Sequence, residues 1–582
     1  MRYKLTWIVI LLLAFILRAY RLDLNPVGLS HDDELHEIIN AKSLAKTGFQ
    51  SPGTVAGIFS KNNSCQGNCV YGELGSFILT PWMMIFPLDM TASKIPFVLA
   101  SLGIVFFGGR LLENLSRSSK VGLLTGLLLA VNPWEIHFGR TAYFTTFSYT
   151  FYLIAAYFYT KNFSYKLNLV SGTIFSILAS FFYFGTKPIL PFIILWGVLY
   201  NFYRFKKHHL KFTFVLLGIV ALIISGYILV LSNSYAGRRI KEIGIDTSEI
   251  KRQTDEQRRI SLDIPLVRDI TINRYTVQAN ILTEKYLGFL NPVFLYVKST
   301  GSTDIYYTSN HAYNYLIDFP FLIIGLIALG TVLPNGLFLL GLITISILPT
   351  AFKITGDTIY TLRAGLAYPL LTGITGWGII FLYDKFKKFK RAFLILLILI
   401  YVLSVLYFLI MYWYKTPFEK SMGWYHHKRI LVNYIQRLKQ SSNKEVMVVT
   451  AQPADTFNTY VFYSGLYNST DKIKEINAVY KSQNYIYNGI KFIDSCEKVS
   501  KDEIKNKIIF IEQTVKCKLD QNTTSKIANP RDGGGIYNII NESLCSPYQL
   551  NKYPNPRNLA DFKVEGLTNE DFCHLWITNP DK

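Results

Sequence analysis

The sequence predicts a polytopic α-helical membrane protein that ends in a soluble α/β domain on the non-cytoplasmic side. Three observations carry that prediction. Half of the 582 residues are hydrophobic, and many of them lie in long uninterrupted runs. Short clusters of Lys and Arg fall between every second pair of runs. All six cysteines fall in segments that the resulting alternation places outside.

The apolar runs come first. A helix needs about 20 mostly apolar residues to cross a bilayer. The N-terminus, Met1-Arg2-Tyr3-Lys4, is followed by an apolar run to Leu17. That run closes on Arg18-Ala19-Tyr20-Arg21 without a small-residue cleavage site, so it reads as a retained first helix with its N-terminus inside. Further runs lie near 94–110, 121–134, 145–160, 168–185, 188–203, 212–232, 315–332, 335–351, 365–383 and 392–413, for about 11 spans. The stretch 76–89 is shorter and holds Pro81 and Pro87, which suits an interfacial or re-entrant helix.

The charges test the count. Alternation puts five cationic clusters inside: Arg2/Lys4, Arg110/Arg117/Lys120, Lys161/Lys166, Arg204/Lys206/Lys207/Lys211 and Lys385/Lys387/Lys388/Lys390/Arg391. The tight turn at Pro334-Asn335-Gly336 is the one inner loop without a cation. A formal charge of +21 could suggest nucleic acid, but cations that sit between apolar runs serve topology, and no zinc-finger spacing or Walker motif is present.

The chain then divides into a membrane domain, 1–413, with outer loops 20–92 and 233–312, and an extracytoplasmic domain, 414–582. Strand-like runs at Glu445–Thr450 and Lys507–Glu512 and a helical stretch at Trp424–Leu438 read as α/β. Cysteines confined to the oxidising side suggest disulfides, and proximity in sequence pairs Cys65 with Cys69, Cys496 with Cys517, and Cys545 with Cys573. Metal binding is the alternative reading of these cysteines. His574, next to Cys573, does not make a ligand spacing.

Two groups of polar residues sit at outer membrane boundaries. The first outer loop holds Leu29-Ser30-His31-Asp32-Asp33-Glu34-Leu35-His36. Adjacent acids there serve either as charges in the first turn of a helix or as a base that takes a proton from an attacking hydroxyl. The second group is cationic: His137 and Arg140 in Asn132–Tyr143, Lys187 after Tyr183-Phe184-Gly185-Thr186, and Arg363 at the end of Asp357-Thr358-Ile359-Tyr360-Thr361-Leu362. Such cations anchor to lipid headgroups or, where several face one acidic loop, bind phosphate.

Four segments resemble the membrane glycosyltransferases of the C-type fold, above all the protein O-mannosyltransferases and the lipid A aminoarabinose transferases. They are the pair Asp33-Glu34 followed by a helix and Gly48; Pro133-Trp134-Glu135-Ile136-His137-Phe138-Gly139-Arg140; Tyr286-Leu287-Gly288-Phe289-Leu290-Asn291-Pro292-Val293-Phe294-Leu295; and Asp357 through Arg363. Together they cover roughly residues 1–415. Departures are Tyr360 where many relatives have His, Lys187 where many have Arg, and Phe144 where a Glu is common.

The resemblance implies transfer of a sugar from a polyprenyl-phosphate carrier to a protein, lipid or glycan acceptor at the outer face of the plasma membrane. Asp33 is then the base of an inverting single displacement, with Asp32 as its rival, and Glu34 orients the acceptor or the base. Arg140, Lys187 and Arg363 bind the phosphate, and His137 donates to the same oxygens. Tyr183, Asp357 and Tyr360 line the site. No cofactor or metal is expected, since the lipid-linked sugar is a substrate and no nucleotide is involved. An oligosaccharyltransferase-like enzyme and a lipid or sugar transporter are the competing readings.

Overall fold

The computed structural model describes residues 2–29, 34–52, 55–56, 70–205, 210–232, 247–262, 264–299, 311–351, 361–386, 388–441, 444–498, 505–517, 523–556, 558 and 560–579. Each apolar run coincides with a helix: Arg2–Ala19, Met90–Ser116, Ser119–Val131, Thr145–Thr160, Tyr165–Phe182, Leu190–Phe205, Leu210–Ser232, Asp318–Leu329, Leu333–Ala351, Ala367–Lys385 and Lys390–Tyr414. By length and composition, 6 described segments can cross a membrane, among them Met90–Ser116, Leu210–Ser232 and Lys390–Tyr414. Leu210–Ser232 and Lys390–Tyr414 are only 11% buried over their most apolar windows, so their apolar side chains face outward, as lipid requires. The chain is therefore a multi-pass membrane protein.

Small residues let the central helices approach closely. A Cβ on Gly109 would lie 2.7 Å from the carbonyl oxygen of Gly122, and one on Gly378 would lie 2.1 Å from that of Phe321. Without a hydrophobic force between helices in lipid, such backbone contact supplies the packing.

The loops assigned to the inside meet at one end of the bundle. Arg204 donates to the carbonyls of Thr160 (2.7 Å) and Lys161 (3.1 Å). Asn335, from the turn without a cation, donates to the Leu115 carbonyl at 2.6 Å and accepts from the Tyr200 hydroxyl at 2.9 Å. Arg110 bonds Tyr3 and Glu113 at the same end. The 76–89 stretch contains one helix, Gly75–Ile85, with Pro81 inside it and Met84, Ile85 and Phe86 exposed at its tip.

Residues 444–579 form a mixed sheet in the order β4-β5-β3-β6-β8-β7-β9, with β3 Val446–Val449, β4 Ile486–Tyr487, β5 Ile490–Ile493, β6 Ile508–Glu512, β7 Ser525–Ala528, β8 Gly535–Ile540 and β9 Ile577–Thr578. (β1, Val55–Ala56, and β2, Val70–Tyr71, make a small parallel pair in the first outer loop.) The central strand β3 runs parallel to β5 and β6 and is buried on both faces, which explains its unbroken Val-Met-Val-Val. Val446 and Val448 face the core shared with the helices His426–Ser441 and Pro453–Tyr463. Met447 and Val449 face a smaller cluster that Cys496 and Cys517 pack against. Cys496 is bonded to Cys517 and Cys545 to Cys573. Cys65 and Cys69 lie outside the described residues.

The sheet domain sits on the first outer loop. Asn458 lies 2.7 Å from Nε2 of His36, and Asp455 lies 3.6 Å from the same atom. The Leu88 amide donates to Asn468 at 2.8 Å, and Asn477 donates to Ser43 at 3.3 Å. Arg429 is buried; it donates to the carbonyls of Asp23 (3.0 Å) and Val27 (2.8 Å) and pairs with Glu565 at 2.7 Å. Burial acts to raise the Glu565 pKa, but the Arg429 charge and hydrogen bonds outweigh it and hold the carboxyl below its ordinary value.

A depressed carboxyl pKa adds stability above the unfolded value, near 4.3, and that contribution is lost as pH falls through the folded value. Amide protection at residues 20–29, taken relative to the intrinsic exchange rate at each pH, should therefore stay high near neutrality and fall below about pH 4. Arg429→Met should remove about 2–4 kcal/mol of docking free energy and lower that protection at neutral pH. Unchanged protection in the variant would show that Arg429 does not hold the loop.

Candidate donor-phosphate site

The cations that look alike in sequence have different partners. Arg140 follows the short helix Pro133–Phe138, which starts at an Asn132 cap whose side chain accepts from the Glu135 amide. Its guanidinium is fully buried. Nε donates to the Asn25 carbonyl (3.0 Å), one terminal nitrogen to Leu17 (3.2 Å) and Arg18 (2.9 Å), and the other to Arg21 (3.1 Å) and Asn25 (2.7 Å). Its plane also stacks over Trp413, 4.5 Å from the ring centroid. The guanidinium is thus engaged by the backbone carbonyls of residues 17–25, the turn that precedes the acid motif, and Arg140 is not among the residues that line the cavity described below.

His137 belongs to the same buried layer. Its Nδ1 lies 3.1 Å from the Tyr412 hydroxyl, and Phe138, Tyr412 and Trp424 surround the ring. This imidazole packs between the Lys390–Tyr414 helix and Trp424 and is not among the residues that line the cationic cavity described below. Glu34 is fully buried and accepts a hydrogen bond from the Ala142 amide, which ties the acid motif to the segment just after Arg140. Asp32, Asp33, Asp357 and Tyr360 lie outside the described residues.

Lys187 and Arg363 do come together. Both line one cavity of about 590 Å³ between the helices Tyr165–Phe182, Leu190–Phe205 and Leu210–Ser232. Its walls are otherwise almost wholly apolar, with Ile177, Ile224, Ile228 and Leu231 among them. Arg363 stands on the single turn Thr361–Ala364. The Tyr149 hydroxyl fixes that turn by donating to the Leu362 carbonyl and accepting from the Gly365 amide at 3.2 Å. Tyr183 is partly buried against the core beside this cavity and is not part of its lining.

The Lys187 ammonium is held on several sides. It donates to Glu73 and, at 2.7 Å, to the Tyr227 hydroxyl, while Tyr227 donates to the other Glu73 oxygen at 2.6 Å. The rings of Tyr227, Phe181 and Phe184 lie 4.7 Å, 5.3 Å and 5.3 Å from Nζ. Two of the three ammonium hydrogens are thereby used, and the side chain still reaches the cavity. Sequence reasoning missed Glu73, Tyr227 and Phe181. The only local signal for Glu73 is a lone acid in Gly72-Glu73-Leu74-Gly75 directly ahead of an apolar helix.

A cavity of this shape can take a long apolar chain and hold an anionic head at one end. No group of His, Cys, Asp and Glu among the described residues could hold a metal ion.

No family model matches the chain. No curated protein matches it either. Three solved structures are similar to it over most of its length. ArnT from Cupriavidus metallidurans in the apo state is 11% identical, with 92% of this chain and 97% of that chain covered and a TM-score of 0.45. The same protein bound to undecaprenyl phosphate is 12% identical, with 94% and 99% covered and a TM-score of 0.45. The Archaeoglobus fulgidus oligosaccharyltransferase in the apo form is 9% identical, with 80% and 64% covered and a TM-score of 0.41.

Proposed function

We propose that this chain is a membrane glycosyltransferase that moves a sugar from a polyprenyl-phosphate carrier to the hydroxyl of a protein, lipid or glycan acceptor at the outer face of the membrane. The observation that carries the reading is the pairing of Lys187 and Arg363 at one apolar cavity among membrane helices. A lone lipid tail does not need two cations, and a soluble phosphate does not need an apolar trough. A phosphate on a long isoprenoid chain needs both. The four motif segments support the same chemistry.

In this mechanism Lys187 and Arg363 bind the carrier phosphate and stabilise the charge that develops as it leaves. Asp33 accepts the proton of the acceptor hydroxyl, with Asp32 as the alternative base. Phosphate is a good leaving group, so one carboxylate suffices where a glycosidase needs two. Attack from the face opposite the phosphate inverts the anomeric carbon.

Transfer from a lipid-linked sugar by the full chain in detergent or liposomes tests these roles. Asp33→Asn should lower turnover by about 10³-fold or more with unchanged membrane insertion. Lys187→Met and Arg363→Met should each lower transfer by about 10²-fold. Near-wild-type transfer by Asp33→Asn and Asp32→Asn would remove the base assignment, and by both cation variants would remove the phosphate site. Arg140→Met should behave differently, lowering the thermal unfolding temperature by several degrees because the carbonyls of residues 17–25 lose their donor.

A further inference from the structure

Glu73 is an anomaly at a site meant for phosphate. It is a fully buried carboxylate bonded directly to the cation that would hold the phosphate. A residue needed only to orient Lys187 could be a neutral acceptor such as Gln. The carboxylate adds a negative charge behind Lys187 and Tyr227, which line the cavity where an anion would sit.

The reaction changes the anion's charge. The acceptor oxygen bonds to the anomeric carbon while the anomeric carbon–oxygen bond to phosphate breaks. The acceptor proton passes to the base, and the electron pair leaves on the phosphate oxygen. The donor is a phosphodiester with one negative charge. The product lipid is a phosphate monoester that carries close to two charges above its second pKa, near 6.

We propose that Glu73, held between Lys187 and Tyr227, shifts this site's preference away from a lipid phosphate monoester and toward a lipid phosphodiester, and so limits retention of the spent carrier. The proposal rests on the donor-phosphate reading of the cavity. The cations Lys187 and Arg363 attract a dianion about twice as strongly as a monoanion, and a fixed carboxylate repels it about twice as strongly, so Glu73 offsets part of the advantage the cations give the monoester. The site excludes bulk water from Glu73, which is 0% exposed, so screening of that repulsion is weak. Tyr227 tunes the effect. Its hydroxyl donates to Glu73 and spreads the carboxylate charge. Lys187 keeps a hydrogen for the phosphate while two are taken by Glu73 and Tyr227. Its hold on the anion is thereby moderated, as turnover of a tightly bound lipid requires.

The test is the ratio of two dissociation constants, measured by titration calorimetry on the full chain in detergent at pH 8. The probes are farnesyl phosphate, a monoester, and its methyl ester, a diester. Glu73→Gln, nearly isosteric, should shift the ratio toward the monoester by about tenfold. Tyr227→Phe should shift it the other way, by about threefold, because the carboxylate loses a donor. Opposite shifts support the proposal. An unchanged ratio in both variants, or shifts in the same direction, overturns it while leaving the cavity reading intact. Should Glu73→Gln fail to fold, the direction of the Tyr227→Phe shift decides alone. Lys187→Met serves as the control for the reading beneath: it should weaken both probes. Failure of wild type to bind either probe, or indifference of both to Lys187→Met, overturns that reading and the proposal with it.

Discussion

Irregular backbone buried in a membrane protein must have its carbonyls satisfied, and here three buried cations do that for one segment. Arg140 takes the carbonyls of Leu17, Arg18, Arg21 and Asn25. Lys94 takes those of Leu22 and Pro26 at 3.2 Å each, with Gly28 at 3.5 Å. Arg429 takes those of Asp23 and Val27. The three come from distant parts of the chain, and all converge on residues 17–28, just ahead of the acid motif. An unpaired buried carbonyl costs about 1–3 kcal/mol. A cation whose charge is delivered to several carbonyl dipoles offsets its own desolvation as well. Residues 17–28 therefore have their carbonyls satisfied only when the second motif, the Met90–Ser116 helix and the sheet domain are all docked.

That dependence explains why the sheet domain is more than an appendage. It delivers Arg429 to the loop, and it grips the helix His36–Thr47 through Asn458 at His36 and Asn477 at Ser43. Trp424, at the domain's entry, is buried, and its carbonyl lies so close to Gly28 that a Cβ there would sit 1.9 Å away. No larger residue fits at position 28 without moving the domain.

The parts of the fold set by local pattern were legible in the sequence. Apolar runs located the helices because a lipid-facing or bundle-facing helix must be apolar through most of its length. Val446–Val449 was legible as a strand because burial on both faces demands an unbroken apolar run. Two cysteine pairs followed from separations of 21 and 28 residues within one small domain. The division of labour among cations was not legible. Arg140, Lys187 and Arg363 all stand near the ends of apolar runs, close to aromatic residues. What separates them is whether backbone carbonyls or an open cavity face the charge, and that depends on contacts across more than a hundred residues. Glu73 was invisible for the same reason. Its partners Lys187 and Tyr227 are 114 and 154 residues away.

Glu73 also stands at a mechanical junction. It lies two residues before the helix Gly75–Ile85, whose first turn packs on the helix that follows the acid motif. Ser76 donates to Glu37 and accepts from Asn40 at 2.9 Å. A Cβ on Gly75 would lie 2.7 Å from Oε1 of Glu37, so the Glu37 carboxylate packs directly on the Gly75 backbone. Glu37 and Asn40 are themselves buried, with exposures of 1% and 0%, and have little room to adjust. Movement of Glu73 is thus carried to the helix that begins at His36, three residues after Asp33. Close-packed contacts of this kind transmit a displacement because they do not compress. Lys187 of the cationic cavity and the helix His36–Thr47 are thus linked through one short segment, Glu73–Ser76, with Glu73 on Lys187 at one end and Ser76 on Glu37 at the other.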